Sequence, residues 1–139
     1  MSIYSERLAI LKKEIAVIRK KLKKKKFKKD QQIIINFING VTSFAEFEVN
    51  SRKIVLRVGD DKKGFRHILE KHYCKGCPGE INTMEILNII DIIKRGIKLE
   101  NTGVTNSNLV VYFRMDTQHK LILKPTRDEE FVITMYGIC

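Results

Sequence analysis

The chain has 139 residues, 43% of them hydrophobic, and a formal charge of +11, which suits one buried core and is too short for two. No apolar run approaches the roughly 20 residues that a transmembrane helix needs. No secretory signal order opens the sequence either, so a cytoplasmic protein, or one delivered into a target cell's cytoplasm, is expected.

Residues 1–30 hold twelve Lys/Arg against three Asp/Glu, a net +9, while 31–139 hold fifteen against thirteen, a net +2. A basic N-terminal segment of this kind predicts a polyanionic partner, RNA or DNA before an anionic membrane surface. Helix formation is expected from Ser5-Glu6-Arg7, with Leu8, Leu11, Ile15, Ile18 and Leu22 drawing one apolar stripe opposite a Lys-rich face. Residues 1–30 thus form a basic amphipathic helical extension that docks on a domain spanning 31–139. From Gln31 to Asn39 the apolar run fits helix or strand, and Gly40 ends it. Residues 44–49 and 53–58 alternate around Asn50-Ser51-Arg52 and predict a hairpin; Gly59-Asp60-Asp61 breaks the sheet.

A helix follows from Phe65 to about Tyr73, then a loop with Gly76, Pro78 and Gly79. Asn82 or Thr83 caps a longer helix to Arg95, with Ile86, Leu87, Ile90 and Ile93 buried and Gly96 as its stop. Strands are expected at 97–100, 109–114, 119–124 and 130–136. Loops fall at Asn106-Ser107-Asn108, Asp116-Thr117 and Pro125-Thr126-Arg127-Asp128. The plan is α+β: N-terminal helices packed on an antiparallel, twisted sheet.

Chemistry concentrates in two places. On the helix Gly64–Tyr73, His72 shares the sheet-packing face with Phe65, Ile68 and Leu69, at the end where its ring can leave the core. His67 lies about 140° around the helix from His72, beside Lys71. The two rings are therefore expected apart, and either could serve as general base or acid near neutral pH. On the last strand Thr134 and Tyr136 share one face, with Phe131, Ile133 and Met135 on the other. Strand parity groups Lys120 with Lys124, and Arg114 belongs to the same ligand-facing set when the leucines face the helices. His, Lys or Arg, Thr and Tyr in one cleft are what metal-free RNA cleavage requires: a base for the ribose 2′-hydroxyl, cations and hydroxyls for the phosphorane, and an acid for the leaving oxygen. No carboxylate cluster suggests a metal; Asp60-Asp61 and Asp128-Glu129-Glu130 read as turns. Cys74-Lys75-Gly76-Cys77 is a lone CxxC to which His72 and Cys139 could add zinc ligands. Without a second pair it reads as two thiols in a turn, and the three cysteines suit a reducing compartment. No metal or cofactor is expected.

The helix carrying HIxxKH, the Gly-containing loop, the second amphipathic helix and a sheet ending in VITMY together resemble the barnase–EndoU–colicin–RelE (BECR) superfamily of ribonucleases. The likeness spans residues 64–139 and is nearest to phage- and mobile-element-associated members and to toxin domains of contact-dependent inhibition systems. It implies a metal-independent endoribonuclease, often a cleaver of tRNA or mRNA that leaves a cyclic phosphate, and often paired with an immunity or antitoxin protein. The helical histidine of the family corresponds to His72 or His67, its sheet hydroxyl to Thr134 and its terminal aromatic to Tyr136. Its basic strand residue corresponds to Lys120, with Arg114 or Lys124 as substitutes. Two other readings compete: a non-enzymatic nucleic-acid-binding accessory protein, and an interaction module dimerising through the Leu8–Leu22 stripe. The sequence leaves the oligomeric state open.

Overall fold

The computed structural model describes residues 2–49, 52–60, 64–77, 80–95, 97–99, 110–114, 119–126 and 129–137, the strands beyond Arg95 by backbone placement. Outside these residues lie the expected loops at 106–108 and 116–117, Asn50, Ser51, Asp61, Pro78, Gly79, the Gly96 stop, Arg127, Asp128 and Cys139. Helix α1 (Ile3–Leu22) starts earlier than the sequence suggests, because the Ser2 hydroxyl accepts the Ser5 N–H at 3.1 Å and caps it. Its stripe turns inward: Leu11 and Ile15 are buried, and Leu8 packs beside them. Ile18 and Leu22, at the C-terminal end of the stripe, are half-buried.

The ambiguous run is helix α2 (Lys29–Ile38), with Ile34, Ile35, Phe37 and Ile38 buried. The hairpin is present as β1 (Ala45–Val49) and β2 (Arg52–Leu56), with Phe47 opposite Ile54. Helix α3 (Phe65–Lys71) follows. The single helix expected to Arg95 is two: α4 (Thr83–Leu87), closed by a reciprocal Asn82–Glu85 capping box, and α5 (Ile89–Arg95). Asn88 separates them, a poor helix former whose side-chain oxygen accepts from the Gln31 amide at 2.9 Å. Ile89 and Ile92 are buried as well as the expected stripe, since the pair packs against both α2 and the sheet and has little face left for water.

Strands β3 (Ile97–Leu99), β4 (Val110–Arg114), β5 (His119–Thr126) and β6 (Glu129–Gly137) form an antiparallel meander. The six strands are ordered β1-β2-β6-β5-β4-β3. The fold is α+β as expected, with one departure in the sheet: β2 and β6 pair in parallel, Lys53 with Glu129 and Val55 with Phe131. That junction joins hairpin to meander and brings the chain's last strand into the middle of the sheet. Residues from α1 through α5 share one hydrophobic cluster, Phe65 at its centre against Phe37 and Tyr4. No described helix is long and apolar enough to cross a membrane.

Candidate active site

Helix α3 is fastened where β2 ends. The Phe65 N–H donates to the Arg57 carbonyl at 2.9 Å and the Arg66 N–H to the Val58 carbonyl at 2.8 Å. Gly64 makes this approach possible. Its φ is +86°, and a Cβ there would stand 2.9 Å from both of those carbonyl oxygens. The parallel register pairs Val55 with Phe131, an offset of 76 residues. The described pairing ends there, one residue before β2 itself ends at Leu56. Helix α3 packs against β6.

At its other end α3 stops at Lys71, and His72 is the C-cap, with φ −128° and ψ −18°. This departure from helical geometry brings the two imidazoles together. The rings of His67 and His72 meet edge to face, centroids 5.4 Å apart, where a continuous helix would have held them on separate faces. Both are half-buried, and Lys71 between them is exposed. The expectation that the rings lie apart is therefore corrected.

Two supports of this helix end were not legible in the sequence. The Arg7 guanidinium, from α1, donates to the Leu69 carbonyl at 2.8 Å and also to that of Glu70, satisfying the open carbonyls of the last turn. Next to His72, the buried Tyr73 hydroxyl, the Thr83 hydroxyl and the Glu14 carboxylate form one hydrogen-bonded cluster, the two hydroxyl oxygens 2.7 Å apart and each beside the same carboxylate oxygen. Burial and the Glu14 carboxylate both push the Tyr73 phenol well above its ordinary value. Arg7 and Glu14 read as solvated charges of a basic helix until the tertiary fold is known.

On the sheet, Lys120 pairs with Tyr136 and Ile122 with Thr134, while Arg114 stands opposite His119. Between Ile122 and Leu123 the register slips: Leu123 pairs with Val132, leaving Ile133 as the extra residue of a β-bulge. The alternation expected from Phe131 to Tyr136 is thus interrupted at Ile133, immediately before Thr134. Thr134 and Tyr136 remain two apart within the single register beyond the bulge. Bulges re-aim strand residues and are over-represented beside active sites. Lys124 lies on the other side of the slip, opposite Phe131; the extra residue belongs to β6, so β5 itself has no residue inserted between Lys120 and Lys124.

Cys74 and Cys77 face each other across the turn, their Cα atoms 5.4 Å apart. The turn is closed by Ile81 N–H donating to the His72 carbonyl at 3.0 Å. Among the described residues no group of three or more His, Cys, Asp or Glu could hold a metal ion. No family model, curated protein or solved structure matches this chain.

Proposed function

We propose that the chain is a metal-independent endoribonuclease of BECR type whose active centre lies where α3 meets β6. The observation that carries this is their packing: the helix with the paired imidazoles lies against the strand that holds Thr134 and Tyr136. The β-bulge at Ile133 and the opposition of Lys120 to Tyr136 add to it.

In the proposed reaction His72 or His67, as neutral imidazole, removes the ribose 2′-hydroxyl proton. The 2′-oxygen bonds to phosphorus, and the negative charge gathered on the phosphorane is met by Lys120, with Arg114 or Lys124 contributing, and by the hydroxyls of Thr134 and Tyr136. The bond from phosphorus to the 5′-oxygen breaks, and the second imidazole as imidazolium returns a proton to that oxygen. The products are a 2′,3′-cyclic phosphate and a free 5′-hydroxyl. Lys71, exposed beside the histidines, holds a neighbouring phosphate. The substrate is a cellular RNA such as tRNA or mRNA. A toxin-like or phage and mobile-element role, with an immunity or antitoxin partner and action in the cytoplasm, belongs to the same proposal.

The test is to incubate purified protein with end-labelled RNA and map product ends. Cyclic phosphate termini are expected, with His72→Ala, His67→Ala or Tyr136→Phe slowing cleavage; loss of an acid or base costs about 10²–10⁴ in rate. RNA bound but left intact would instead identify a non-enzymatic nucleic-acid-binding protein, the reading that the charge of residues 1–30 favours on its own.

A further inference from the structure

Where α1 meets α2 the surface forms an open groove of about 700 Å³, lined in part by Arg19, Lys25, Lys26, Phe27, Lys29 and Gln32. Its chemistry is one-sided. Residues 19–29 contain nine Lys/Arg and no acid. The nearest carboxylate in sequence, Asp30, is engaged by Lys94 at 2.9 Å. The Arg19 guanidinium lies 5.7 Å from the centre of the Phe27 ring, giving the groove a flat cationic and aromatic wall. On its α2 side the Gln32 amide donates to Asn36 at 2.9 Å, which sets two amide groups along the floor.

We propose that this groove is a phosphate-tracking exosite for single-stranded RNA, separate from the candidate active centre. Cations that follow a backbone, combined with aromatic and guanidinium planes for bases, are how single strands are held without sequence preference. The amides add hydrogen-bonding groups that a bare charged surface lacks. An anionic membrane surface fits less well. The exposed large apolar residues of α1 are Ile3, Ile10 and Val17, one every two turns, which is too sparse for the broad apolar face of an interfacial helix.

The exosite stands apart from the histidines. Arg7, which caps α3, precedes Arg19 by twelve residues of one helix, or about 18 Å at the helical rise. A strand seated in the groove therefore reaches the active centre only if it is several nucleotides long. The destination of the strand rests on the ribonuclease reading; binding in the groove does not.

The experiment uses the full chain and a Lys25→Gln/Lys26→Gln variant of two exposed side chains, with circular dichroism to verify the fold. Affinity for a 2′-O-methylated single strand of about 16 nucleotides, which lacks the attacking hydroxyl, is measured across salt concentrations. Cleavage of an unmodified dinucleotide is measured in parallel. The variant should flatten the dependence of log affinity on log salt by about 1.4, roughly 0.7 for each cation removed, with dinucleotide cleavage unchanged. If neither protein cleaves RNA yet the slope still falls, the ribonuclease reading fails and the exosite stands. An unchanged slope overturns the exosite. So does retention on phosphatidylserine vesicles at salt that releases the RNA.

Discussion

Gly64 shows how much of the candidate site depends on one backbone position. With φ +86° and ψ −166° it occupies a region open in practice only to glycine. The carbonyl oxygens of Arg57 and Val58 stand 2.9 Å from where a Cβ would be. Gly64→Ala should therefore destabilise the protein by about 1–3 kcal/mol from backbone strain, with a further loss from the clash, read as a lowered denaturant midpoint. Tyr73 gives a second handle. Its phenol is raised by burial first and by Glu14 next, so the neutral form is favoured in the folded state. That contribution is complete below the ordinary phenol value of 10.0 and declines as pH rises above it toward the folded value. Urea unfolding at pH 8 and near pH 11 should show a loss in the wild type that Tyr73→Phe lacks. Equal losses in the two proteins would deny Tyr73 that role. At this scale the side chains proposed for catalysis, His67, His72, Thr134 and Tyr136, were picked out in the sequence by residue type and strand parity. It did not show Arg7 or Glu14, whose partners are 62 and 59 residues away.

Among the elements, α1 has the role least expected from composition. Eight of its twenty residues are charged, and local reading makes it an extension laid on the surface. In the structure Leu11 and Ile15 lie in the common core, and Arg7 and Glu14 hold the far end of α3. Leu11→Ala should cost about 2–5 kcal/mol, and removal of residues 1–30 should leave a chain without a cooperative unfolding transition. A truncated protein that unfolds cooperatively with wild-type stability would contradict this placement. Elements with a clear period were legible in advance: the hairpin, α3 and the strands of the meander. Those decided by tertiary contact were not. The apolar run of α2 has no local feature that separates helix from strand. The break at Asn88 follows from its tertiary partner Gln31, and the bulge at Ile133 from pairing with β5.

Across the whole molecule the sheet order is decisive. The parallel pairing of β2 with β6 inserts the C-terminal strand beside the hairpin, and α3, leaving the end of β2, comes to rest against it. Alternation along single strands carries no information about that order, so the approach of histidine helix to threonine–tyrosine strand could be expected only through resemblance. The charge has its own geography: basic residues gather at the α1–α2 groove, at the opposite end of α1 from the α3 cap. On the proposed function, this arrangement separates holding an RNA from cutting it.

The most direct measurement is a double-mutant cycle on RNA cleavage in EDTA, comparing wild type, His72→Ala, Thr134→Val and the double variant. Groups that act on one phosphodiester are strongly non-additive. The double variant should therefore be little slower than the slower single variant. Multiplying penalties, or no cleavage by the wild type with chelator present, would contradict a shared metal-free centre.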